Sequence, residues 1–271
     1  MTRARDLADA ADKDFSGTVT VDNITIGGNI SQDSGTVKLD GNYPTGTANV
    51  ALGNTTLDSL SGGGYNVGIG TQALTANTSG DANVGVGYGA LDANTSASYN
   101  VGIGYDALGV NTTGTANVAV GGQSLDANTT ASNNTAVGYQ ALTANTTGAE
   151  NTAIGKEAAK ANTTGSYNTA LGRTSFLTNT TGSSNVALGA NTLRSSTTAS
   201  NNTAAGYDSL RANTTGNSNV AVGTNSLDAN TTGGANTAVG YQALTGNTTA
   251  ADNTSVGYNS LVANTTGASN T

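Results

Sequence analysis

The chain has no cysteine, histidine or tryptophan, and only one proline and two phenylalanines in 271 residues. Without Cys there is no disulfide, no thiolate nucleophile and no Cys-ligated metal. Without His the commonest general base and metal ligand is missing. Aromatic residues make up 4% of the chain and charged residues 10%. Much of the 35% apolar fraction is Ala, so a thick aliphatic core is hard to assemble. No apolar run approaches the roughly 18 residues that cross a bilayer, so no membrane insertion is expected. Residues 1–14 carry Arg3, Arg5 and Asp6 and no apolar stretch, so no signal peptide is expected. A net charge of −8 opposes binding to phosphate backbones, and no nucleic-acid partner is expected.

What the chain does have is repetition. From Asn49 it divides every 17 residues without insertion or deletion, so that thirteen units fill 49–269 and Asn270-Thr271 opens another. Position 1 is always Asn, as at Asn66, Asn83, Asn100, Asn117, Asn134, Asn151 and Asn168. Position 5 is always Gly, as at Gly70, Gly87, Gly104, Gly121 and Gly138. Position 2 is β-branched, position 3 is Ala, Gly or Ser, and position 4 is aliphatic apart from Ala205. Position 9 is Leu in eleven units, replaced by Ala159 and Phe176 in the others. Position 12 is Asn in eleven units and usually opens Asn-Thr-Thr-Gly, which is turn chemistry.

Seventeen residues are too few for a helical-hairpin repeat, which needs roughly 33. The spacing predicts an all-β fold, a parallel β-solenoid with one repeat per coil. β-Branched and aliphatic residues at positions 2 and 4 predict a strand with that face buried. Leu at position 9 predicts a second short strand. Coils stacked about 4.8 Å apart would form a rod of about 62 Å and bring identical residues into columns. The position-1 Asn side chains would then form a hydrogen-bonded ladder. Gly at position 5 supplies positive φ or close backbone approach. Positions 3 and 5, always small, would face away from the aliphatic ladder and admit a second chain, so a homotrimer of parallel rods is expected.

Residues 1–48 lie outside the repeat and hold 11 of the 26 charges. Residues 2–11 read as a short helix, and 17–27 as a strand carrying Val19, Val21, Ile24 and Ile26. Ile30, Val37 and Leu39 suggest a further short pair. A segment of this size caps the first coil or attaches the rod to another assembly, and its charge favours attachment.

Polysaccharide-cleaving solenoids need two carboxylates on one face. Here Asp58, Asp92, Asp126 and Asp228 at position 10, and Asp106, Glu157 and Asp208 at position 7, never recur in adjacent coils of one column. They read as isolated solvated charges, so no catalytic residue, metal or cofactor is expected. Tyr88, Tyr105, Tyr139, Tyr207, Tyr241 and Tyr258 share position 6, where rings either stack on host-surface glycans or cover neighbouring glycines.

Units such as Asn151-Thr-Ala-Ile-Gly155 and Asn134-Thr-Ala-Val-Gly-Tyr-Gln-Ala-Leu142 resemble the YadA-like head repeats of trimeric autotransporter adhesins. That resemblance covers about four-fifths of the chain and implies a trimeric left-handed β-roll. The 17-residue form with Asn-Thr-Thr-Gly is similar to repeats of phage tail fibres. Residues 1–12, followed by Gly17-Thr-Val-Thr-Val21, resemble the N-termini of tail-fibre-like proteins of marine and cyanobacterial phages. The resemblance implies a structural phage tail-fibre protein in the virion, joined to other tail proteins through residues 1–48 and projecting a receptor-binding region toward the host cell. The alternative is a bacterial surface adhesin or extracellular filament subunit built from the same repeats.

Overall fold

A computed structural model describes residues 47–271. The helix and strands expected within 1–46 lie outside the described residues. The rest is a parallel β-solenoid whose single sheet holds thirteen strands in chain order, from β1 (Val50–Leu52) to β13 (Thr254–Val256). Every strand is three residues long and occupies positions 2–4 of its repeat. The register never slips: Val50 pairs with Val67, Val101 with Val118, and Thr237 with Thr254, always 17 residues on.

The inside of the coil differs from the sequence expectation. Position 3, not positions 2 and 4, points inward: Ala119, Ala136, Ala153 and Ala204 are fully buried. Ile69 and Leu171, at position 4, are 38% and 46% exposed. Strand geometry explains the inversion. The position-1 Asn is buried, with Asn100, Asn117 and Asn134 fully inaccessible. Side chains alternate across a strand, so position 3 follows position 1 inward while positions 2 and 4 face out. The interior also has no room for larger groups. A Cβ placed on Gly85 or Gly102 would lie 3.2 Å from Cγ of the Leu in the preceding coil. The core is thus a column of Leu from position 9 against a column of methyl groups from position 3.

The small stripe expected to receive another chain is therefore not on the surface. Position 3 is interior, and position 5 is filled by the backbone above it. Gly104 has φ +132°, and a Cβ there would come within 2.7 Å of the Gly121 carbonyl. Any side chain at this column collides with the next coil, which accounts for Gly in every repeat.

The second strand expected at position 9 is a turn instead. Positions 7 and 9 carry positive φ on ordinary residues, as at Asp106 (50°), Leu108 (54°), Gln123 (56°) and Leu125 (51°). This alternation curls the chain through six residues while its amides still bond between coils. Leu108 N–H donates to the Ser124 carbonyl at 3.0 Å, and Asp106 N–H to the Tyr88 carbonyl at 3.0 Å. A left-handed Leu is unfavourable in isolation, by about 1–2 kcal/mol, and is held here by burial and by bonds on both sides.

Two Asn columns run through the interior. In the position-1 column, Asn117 N–H donates to Asn100 Oδ1 at 2.9 Å, and its Nδ2 donates to the same oxygen at 3.2 Å and to the Ala131 carbonyl at 2.9 Å. The pattern recurs at Asn83, Asn134, Asn151 and Asn185. Position 12, read from sequence only as turn chemistry, forms a second ladder. Asn94 Nδ2 donates to Asn77 Oδ1 at 3.2 Å, and the relay continues through Asn111, Asn128, Asn145 and Asn162 to Asn179. It resumes at Asn213 and Asn230. Between them stands Ser196, fully buried, with an Oγ that has no hydrogen-bond partner.

That interruption is correctable. Ser196→Asn restores the missing rung between Asn179 and Asn213, an exchange worth about 1 kcal/mol per recovered buried bond. The midpoint of thermal unfolding should rise by about 2–4 °C, measured by circular dichroism. A fall in the midpoint would mean that the Asn amide does not fit this rung.

Candidate functional site

With the interior filled by Leu, Ala and Asn, chemistry is confined to the columns that leave the coil. The turn at positions 6–11 presents three of them, at positions 6, 7 and 10. Its alternating φ values keep each column in line, because the same backbone bonds recur at every coil.

The position-6 tyrosines stack where they are consecutive. The rings of Tyr88 and Tyr105 lie 5.5 Å apart at 11°, and those of Tyr241 and Tyr258 lie 5.4 Å apart at 12°. Such offset pairs stabilise the column by themselves. Tyr139 instead lies against Gly122, its Cδ2 3.6 Å from where a Cβ would stand, which is the covering role considered from sequence.

The carboxylates are not all isolated. Comparison within columns missed the diagonal pair Asp106 and Asp126, at positions 7 and 10 of adjacent coils. Partial burial pushes the Asp126 carboxyl above the usual carboxylate range, and the charge of Asp106 adds to the shift. The charge of Asp106 and its hydrogen bond also raise the Tyr105 phenol. Farther along, Arg211 holds Asp228 through Nε to Oδ1 at 2.9 Å and Nη2 to Oδ2 at 3.3 Å, and reaches Asp208 at 3.9 Å. Asp208 accepts from Asn191 Nδ2 at 2.9 Å, and Asn191 Oδ1 accepts from the Thr174 hydroxyl at 2.7 Å. Lys160 pairs with Glu157 at 3.2 Å. The sequence signal for these contacts was present as complementary residues at i+3 and i+17, a spacing that only stacking makes short.

The Asn-Thr-Thr runs at position 12 also spell Asn-x-Thr glycosylation sequons, as at Asn111 and Asn145. Asn111 and Asn145 are fully buried, and their amide nitrogens donate to Asn94 Oδ1 and Asn128 Oδ1. An amide in that position is closed to glycosylation once the coil has formed. Among the described residues no three carboxylates converge on a cation site, and no helix is long and apolar enough to cross a membrane.

The raised Asp126 has a defined pH signature. The folded chain retains this proton to higher pH than the unfolded chain, so its contribution favours folding at low pH and is lost as pH rises through the folded value. Asp126→Asn should flatten that part of the stability-versus-pH curve, measured by denaturant unfolding. An unchanged slope would show that Asp126 is fully solvated.

No family model, curated protein or solved structure matches the chain.

Proposed function

We propose that the chain is the shaft of a phage tail fibre: a homotrimer of β-solenoids, joined to other tail proteins through residues 1–48 and holding a receptor-binding region away from the virion. It is a structural protein and not an enzyme, and its task is to transmit position and load. The observation that carries the reading is the outer face of the sheet. Parallel sheets are almost always covered on both sides. Here one side is the coil's own interior, and the other presents β-branched and aliphatic residues at positions 2 and 4 of every strand. Ile69, Ile103, Ile154, Leu171, Leu188 and Val222 are each more than a third exposed along that strip. An apolar strip running through thirteen coils exceeds the scattered apolar exposure of ordinary monomers, and three copies packed about an axis would cover it. The assignment to a phage rests on the resemblance of residues 1–12 and 17–21 to tail-fibre N-termini.

Sedimentation of the full chain should give the mass of three chains. Val120→Asp combined with Val137→Asp should reduce it to one chain while the β-sheet circular dichroism persists. A single-chain mass for the unaltered protein would remove the packed shaft. Deleting residues 1–48 should leave trimers intact and abolish incorporation into virions; particles that still carry the shortened fibre would contradict the attachment role.

A further inference from the structure

All five cations of residues 49–271 fall in four successive coils: Lys156, Lys160, Arg173, Arg194 and Arg211. The acids of the same stretch run from Asp58 to Asp252. Lys160 and Arg211 are engaged with carboxylates. Lys156, Arg173 and Arg194 are exposed and form no ion pair with a described residue. In a chain of net charge −8, this places unneutralised positive charge at one band of the surface.

The same band departs most from the repeat. Ala159 and Phe176 replace consecutive Leu residues of the core column, and Phe176 is fully buried. Immediately after it, Leu177 and Thr178 stand at positions 10 and 11, where the preceding coils carry Lys160 and Ala161, then Thr143 and Ala144. An open depression of about 420 Å³ lies there, lined by Ala144, Ala161 and Leu177 together with the charged pair Lys160 and Glu157. Arg194 occupies the next rung of the Lys160–Leu177 column. Lys160 and Arg194 therefore stand two coils apart, about 10 Å along the axis, on either side of Leu177.

We propose that this depression binds an anionic polysaccharide lying along the solenoid. The C–H face of a pyranose would rest on Leu177 and Ala161, and acidic groups on alternate sugars would reach Arg194 and, in exchange for Glu157, Lys160, with Arg173 at position 6 of the intervening coil. Nucleic acid fits the band poorly. A duplex carries a charge every 1.7 Å or so, and its binding rests on many phosphate contacts. Lys156, Arg173 and Arg194, bounded by Asp126 and Glu150 on one side and by Asp208 and Asp228 on the other, cannot match that density. The site belongs to a single chain and does not depend on the fibre reading.

Affinity electrophoresis and calorimetry of the full chain test it, with polygalacturonate and chondroitin sulfate as probes and dextran and duplex DNA as comparisons. Retention by one or both acidic glycans, but not by dextran, is expected; the two probes separate carboxylate from sulfate preference. Substituting Lys160, Arg173 and Arg194 together by Gln should weaken binding at least tenfold. Leu177→Thr, which leaves the charge unchanged, should weaken it several-fold. Arg211→Gln, at a cation held between Asp228 and Asp208 and outside the depression, should change it less than twofold. All of these side chains except Leu177 are surface charges, so retained circular dichroism certifies folding in each variant. Failure to bind either acidic glycan, an equal loss for Arg211→Gln, no loss for Leu177→Thr, or tighter retention of DNA would each overturn the proposal.

Discussion

The structure depends on one hydrogen-bonding relay, in which the amide oxygen of a buried Asn accepts from the backbone and side chain of the Asn 17 residues later. Asn100 serves Asn117 in this way, and Asn117 serves Asn134. Because both donors belong to the same residue, a coil shifted by one position would leave a buried amide without partners, at a cost of about 1–3 kcal/mol per group. Multiplied along the column, that penalty fixes the register. Fixed register then determines the rest: Asn inside forces a small residue two positions on, turns the aliphatic pair outward, and brings the Gly column into backbone contact.

A molecule built this way is uniform by necessity, and its individuality lies in the positions that break the pattern. In the core, Ala159 beneath Phe176 exchanges two Leu for one small and one large side chain, which conserves volume across adjacent rungs. Ser196 removes a rung from the second Asn ladder and leaves a buried hydroxyl unsatisfied. On the surface, the cations collect within the same coils. These departures cluster between 156 and 211, whereas the coils before and after carry only acidic charges among their ionised groups. The shaft reading concerns the uniform part of the molecule, and the glycan site concerns the exception.

Much of this was legible in the sequence, because a chain that aligns with itself reveals both the coil length and the parallel stacking. The orientation of the strand was not read correctly, although the information was there. An Asn such as Asn134 in every repeat, bonded to its copies, belongs in the interior, and parity then turns its neighbour Thr135 outward. Hydrophobicity prevailed over parity, and the sheet was turned inside out. The left-handed Leu at position 9 was hidden for a different reason: a bulky residue at positive φ contradicts its local preference, and only bonds to coils above and below hold it there. The Asn column at position 12 was masked by an adequate local explanation, since Asn-Thr-Thr-Gly forms a turn with or without a ladder. Surface pairs such as Asp106 with Asp126 crossed between columns, where a comparison along each column could not find them.

The central claim is that each 17 residues advance the chain by one strand spacing with no slippage. Since the protein has no native cysteine, spin labels can be attached at Thr130→Cys together with Thr181→Cys, Thr215→Cys or Thr249→Cys, each pair diluted with unlabelled chain. These sites share position 14 and are separated by three, five and seven coils. Pulsed electron-spin resonance should return distances of about 14, 24 and 34 Å, rising linearly at about 4.8 Å per coil. Distances that fail to increase in proportion to the number of intervening repeats would contradict the stacked register and everything derived from it.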